Sequence, residues 1–262
     1  MYKLLLLLLP MLLFSKFQVT TTLPFQAHII KKIGQNHIRI KTITNSTLEK
    51  AFTLSTSEIF SLTNTRAYFH FSLDFEKEYK ETFLKAKKDF NIVDMSKNIK
   101  KLKYNGKDNP YIWLDPILLR QVAKNIYDTL SKIDFYNKKD YKKNYEQFLK
   151  DLDNSFLKTK KRLENSEIYN IFVFDEKFDY FAKRFKINRY LKKKRILSLW
   201  DVKPLINFVK TNQVRAIFIE ERKNINFAKS LAGNTNIQIK SFNPYEEQLF
   251  YNLKKITKKF IN

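Results

Sequence analysis

Two periods of apolar residues alternate along this chain. The short β-branched run FQVTTT is followed by Phe25, Ala27, Ile29, Ile30 and Ile33 at helical spacing, closed by Gly34. That pattern predicts a strand feeding a helix. HIRIKTI then alternates as a strand, STSEIFSLTN reads as a helix capped by Ser55 or Ser57, and RAYFHFSL reads as a further strand. After residue 165 the same alternation returns. It runs through strand IYNIFVF, helices KFDYFAKRF and KPLINFVKTN, strand VRAIFIE, helix NFAKSLAG, strand IQIKSF and a terminal helix YEEQLFYNLKKITKKF. Repeated β and α units predict the α/β class, with parallel sheets flanked by helices.

Two helices in mid-chain carry the strongest pattern. Asp115 and Pro116 form a favourable helix start, and Leu118, Val122, Ile126, Leu130 and Ile133 keep helical spacing behind them. DYKKNYEQFLKDLDNSFLKTKKRLEN then places Tyr141, Tyr145, Phe148, Leu149, Leu152, Phe156 and Leu163 on one stripe. A charged helix of that length suggests a strut between two halves. The expected organisation is a segment 1–16 to be removed, an N-terminal α/β lobe over 17–135, a linking helix over 137–165 and a C-terminal α/β lobe over 166–262. Ligands of such folds sit beyond the carboxyl ends of the strands, in a cleft between the lobes.

Composition changes this picture at three points. Lys3 precedes an apolar run from Leu4 to Phe14, too short to span a bilayer, which reads as a secretory signal and predicts a periplasmic protein. Cysteine is absent, which excludes disulfides, a lipidated cysteine and thiolate metal sites. The formal charge of +24 invites a nucleic-acid or anionic-surface partner. The lysines are spread rather than gathered, however, and the densest cluster, RYLKKKR, lacks an aromatic ladder. An exposed turn is expected there, and no nucleic acid. No Gly-rich phosphate loop, G-x-S-x-G, H-E-x-x-H or cysteine nucleophile occurs, so catalysis is not expected.

Four stretches that follow strands stand out: NSTLEKAFTLSTSEI, NPYIWLDP, VFDEKFDYFAKRF and IKSFNPYEEQ. In order along nearly the whole chain, the sequence resembles the solute-binding proteins of zinc and manganese ABC importers, the cluster A-I family. Residues 48–58 resemble a DPHxYEPTPSD segment, residues 109–116 a DPHxWLDP segment and residues 174–185 an FHDAFGYFAKRY segment. Val214–Glu220 resembles VKAIFxE, and Phe242–Tyr245 an LDPL turn. The resemblance implies two lobes around a cleft, docking on a membrane permease as a monomer, and zinc or manganese as the bound ion.

It also implies one metal ligand from each of four stretches. Those positions fall on Lys50, Tyr111, Asp175 and Asn243. Of these only Asp175 remains an ordinary ligand for a divalent ion. Lys50 would have to lose its proton against a reference pKa near 10.4, at about 4.6 kcal/mol, before coordinating at pH 7. Three readings stay open. Lys50 stands in for the metal, paired with Asp175 and hydrogen-bonded by Tyr111 and Asn243; the four are drifted residues; or an oxygen-rich site survives on Asp175 with Glu49 and with Glu176 or Glu220. His28, His37 and His70 lie off the matching positions and are expected to be surface or half-buried residues. The functional expectation is the capture subunit of a metal-type ABC importer with degenerate ligands. Its competitors are a binder of another, anionic ligand and an envelope protein meeting anionic surfaces.

Overall fold

The computed structural model describes residues 16–44, 53–191, 199–221, 223–233, 235 and 237–261. The first sheet is built from β1 (Phe17–Thr21), β2 (Ile38–Thr42), β3 (Tyr68–His70) and β4 (Ile92–Asp94), in the order β2-β1-β3-β4. All its pairings are parallel, with Val19 opposite Ile40 and Tyr68 opposite Ile92. Parallel neighbours need a crossover, and α1 (Pro24–Gly34), α2 (Thr56–Thr63) and α3 (Asp74–Ala86) lie in those connections. Helix α2 begins on a reciprocal cap: the Ser55 hydroxyl accepts from Glu58 N, and the Glu58 carboxylate accepts from Ser55 N.

The second sheet repeats the plan with β7 (Asn170–Val173), β8 (Asn188–Leu191), β9 (Ala216–Glu220) and β10 (Gln238–Phe242), ordered β10-β9-β7-β8 and again all parallel. Every residue of β9 is buried, as a central strand covered on both faces requires. Helices α6 (Asp179–Arg184), α7 (Leu199–Thr211), α8 (Ile225–Gly233) and α9 (Leu249–Lys258) accompany these strands. A small hairpin, β5 (Lys103–Tyr104) with β6 (Lys107–Asp108), precedes α4 (Leu119–Ile133).

The expected strut is present as α5 (Lys138–Glu164), 27 residues long. It packs against α1 and α4 of the first lobe and α9 of the second. Its stripe buries Tyr141, Phe148, Leu152 and Leu163, while Tyr145 stacks on Tyr127 and Phe156 on Phe185. One apolar cluster runs from Val19 through Trp113 and Phe148 to Phe260, so the two lobes share a core. A smaller one, with Phe172, Val209 and Ile217, sits under α7 and α8.

Several expectations need correction. Helix α4 starts at Leu119 rather than at Asp115, because the Asp115 carboxylate accepts the amides of Ile117 and Leu118 and holds them in a turn. Helix α9 starts at Leu249 rather than Tyr245, because the Asn243 side chain accepts Tyr245 N in a second such turn. Residues 189–191 of RYLKKKR form β8 instead of an exposed turn, and Arg189 Nε lies 2.9 Å from Asp179 Oδ1. Residues 192–195 lie outside the described residues. Helix α3, β4 and the hairpin are additions to the predicted elements. Among the described residues no helix is long and apolar enough to cross a membrane.

Candidate functional site between the two sheets

The carboxyl ends of the first sheet are set by a buried polar network. Gln26 Oε1 accepts from the Thr21 hydroxyl and from the amides of Thr22 and Leu23. Gln26 Nε2 donates to Glu76 at 2.6 Å, and the second Glu76 oxygen accepts the amides of Phe71 and Leu73. Burial raises the Glu76 pKa, opposed by these donors. One carboxyl thereby ties the turns after β1 and β3 into a fixed rim. Beside it His70 is buried, its Nδ1 accepting Ser72 N, and its pKa is lowered to about 4, chiefly by desolvation.

Residues 109–116 carry the contact between the lobes. Trp113 is 1% exposed and packs on Phe25 and Phe71 of the first lobe at ring separations of 4.6 and 5.3 Å, and on Tyr245 of the second at 5.9 Å. Its indole N–H donates to the Pro244 carbonyl at 2.6 Å. Asp115 Oδ1 and Oδ2 accept Arg184 Nε at 2.8 and 2.9 Å. Asn109 donates to the Glu176 carbonyl, and the Tyr180 hydroxyl donates to the Asn109 carbonyl while accepting Leu102 N. These ties hold the ends of the second sheet against the segment.

At the centre of this contact lies a charged group that sequence reasoning missed. Lys177, its side chain 6% exposed, places Nζ 2.5 Å from Glu220 Oε2, at the carboxyl end of β9. The ammonium also faces the rings of Tyr111 and Tyr245, 5.6 and 5.8 Å from their centroids. The other Glu220 oxygen is 2.9 Å from Lys223 Nζ. A lysine just before a run of buried aromatics, in FDEKFDYF, was the available signal.

The sequence-predicted residues divide as follows. Tyr111 is half-buried, with its ring edge-on to Trp113 and Tyr245. Asp175 is half-buried after β7, and its Oδ1 accepts Lys177 N at 3.0 Å; burial raises its pKa, and the Lys177 charge opposes the rise. Asn243 follows β10, with its side-chain oxygen engaged by Tyr245 N. Glu176 contributes its carbonyl to Asn109 and lines, with Tyr111, Tyr245, Ser72, Lys101 and Lys107, a cavity of 630 Å³. Lys50 and Glu49 lie outside the described residues. Of the histidines, His28 is half-buried on α1 and His37 lies 2.9 Å from Asp140; His70 is the buried exception to the expected exposure.

The model of the zinc-uptake complex component A periplasmic family, ZnuA, matches residues 19–256. The chain belongs to this family. Over 181 residues it is 28% identical to the metal ABC transporter substrate-binding lipoprotein SloC of Streptococcus mutans serotype c, covering 63% of this chain and 57% of that protein. The chain thus matches a little more than half the length of that curated relative. The ZnuA fold is equally plain: the crystal structure of ZnuA superposes with a TM-score of 0.85 at 22% identity, covering 95% of this chain and 99% of that one. The periplasmic metal binding protein from Candidatus Liberibacter asiaticus superposes at 0.79 and 19% identity, covering 94% and 100%. Among the described residues no three His, Cys, Asp or Glu side chains are grouped to hold a metal ion. At the three described positions where the resemblance leads one to expect ligands, the sequence has a phenol (Tyr111), a carboxamide (Asn243) and one carboxylate (Asp175).

Proposed function

We propose that this chain is the substrate-binding subunit of a metal-type ABC import system, exported from the cytoplasm, and that its ligand positions have left the metal-binding set. The observation that carries the reading is the family match across residues 19–256, together with a two-lobe fold that keeps its cleft between the carboxyl ends of two parallel sheets. A ZnuA-type chain is an uptake component rather than an enzyme. In this reading residues 17–135 and 166–262 are the lobes, 137–165 is the strut and 1–16 directs export. The partner is a membrane permease driven by an ATPase. The side chains offered to a ligand are Lys50, Glu49, Tyr111, Asp175 and Asn243.

The test uses the processed chain with the zinc/manganese-type permease and ATPase of the same cell, reconstituted in proteoliposomes. Addition of the chain is expected to stimulate ATP hydrolysis by the assembled transporter. Unchanged hydrolysis at saturating chain, with no complex on sedimentation, would refute the reading.

A further inference from the structure

We propose that Lys177 is a resident cation, a tethered ammonium that fills the charge position of the cleft and lets the two lobes close without a metal ion. The inference rests on the capture-subunit reading only for what the cleft once held; the place of the ammonium is independent of it.

Three observations converge. First, the charge is deeply buried at the meeting of the lobes and paired with Glu220, whose carboxylate stands at the carboxyl end of the central strand β9. A charge in such a place is tolerated only when its surroundings complement it. Second, the surroundings are those a cation selects: Glu220 on one side and the faces of Tyr111 and Tyr245 on another. Tyr111 comes from the segment that docks the first lobe, whereas Lys177, Glu220 and Tyr245 come from loops and strand ends of the second. The ammonium therefore bridges the lobes. Third, it stands beside residues at the family's ligand positions. Its own amide is held by Asp175, and Tyr245 is fixed by Asn243.

The same geometry explains the altered donor set. A dication approaching Glu220 or Asp175 would meet a buried like charge at short range, and the ammonium cannot leave, because it is part of the chain. With Lys177 present, a histidine at position 111 and an aspartate at position 243 would have no ion to hold. The lysine postulated from sequence, Lys50, is thus not needed for a built-in cation; Lys177 supplies one from the other lobe.

The experiment is a calorimetric titration of chelator-washed full chain with zinc and with manganese, beside thermal melts of wild type, Lys177→Ala and the double variant Lys177→Met with Glu220→Leu. Wild type is expected to show no stoichiometric binding and no change of Tm with either ion. Lys177→Ala is expected to lose roughly 10 °C in Tm, as for a broken buried pair. It should regain part of that loss with n-propylammonium chloride, and none with sodium chloride at equal ionic strength. If Lys177→Ala does not fold, the double variant, which removes both charges, is expected to fold and not to respond to propylammonium. Stoichiometric, sub-micromolar zinc or manganese binding by wild type would overturn the proposal. So would a Lys177→Ala protein as stable as wild type, or a double variant that is rescued by propylammonium. All readouts use the isolated chain, so failure to stimulate a permease would sink the capture reading and leave these results standing.

Discussion

Trp113 offers the sharpest measure of how the lobes are joined. Its side chain is fully buried, touches aromatic rings of both lobes and donates its only N–H across the cleft to Pro244. Trp113→Ala removes the ring and leaves a cavity that two sheets and their helices cannot collapse. A loss of about 4 kcal/mol follows. For a chain of this size that corresponds to a Tm lowered by about 8–16 °C. Trp113→Phe keeps most of the apolar contact but strands the Pro244 carbonyl. Its cost is that of one unsatisfied buried acceptor, about 1–3 kcal/mol. Equilibrium urea unfolding, followed by far-ultraviolet circular dichroism, separates the two. If alanine cost less than about 1 kcal/mol, or if phenylalanine matched alanine, Trp113 would not be joining the lobes as described.

Two further predictions concern the rim and the start of α4. His70 has its pKa pushed down to about 4 by burial and by Lys80 and Lys101, against an opposing pull from Asp94. A depressed histidine contributes stability that is complete above the unfolded pKa of about 6.5 and lost as pH falls toward 4. Between pH 7.5 and 4.5 wild type should therefore lose about 2–3 kcal/mol relative to His70→Asn in urea unfolding, and equal losses in the two proteins would refute this. Asp115→Ala removes the acceptor for Ile117 and Leu118 and leaves Arg184 without its carboxylate, at an expected cost of about 2–3 kcal/mol. Arg184→Ala, which spares the turn, should cost less in the same thermal melt.

What the sequence showed and what it hid have physical reasons. Strands β1, β2, β7, β9 and β10 and helices α1, α4 and α5 were legible because their apolar residues keep one period over many residues. Helix α3, absent from the predicted elements, carries the same signal, with Phe75, Tyr79 and Phe83 four residues apart and buried. Strands β4 and β8 are short sheet edges. Asp115 resembled a helix start and proves to close a turn with its own side chain, as does Asn243 ahead of the expected helix start at Tyr245; only coordinates show which amide a carboxylate or carboxamide takes. The expected ligand positions rest on the resemblance of the family segments alone. Lys177 was not legible, because its neighbours Glu220 and Tyr245 lie 43 and 68 residues further along, and burial of a lysine is decided by such distant partners. The FHDAFGYFAKRY segment has alanine at the corresponding place, so the departure was visible and its meaning was not.

The shared core has a consequence for which lengths of chain the molecule needs before either lobe can consolidate. Helix α9 covers α5, with the Phe250 ring tilted against Phe148 at 5.9 Å, and Phe260 seals Phe178, Phe181 and Phe218. Without that helix, the strut has no lid on one flank. A chain cut before residue 249 therefore presents an unfinished apolar surface, and consolidation of both lobes requires the segment 249–260.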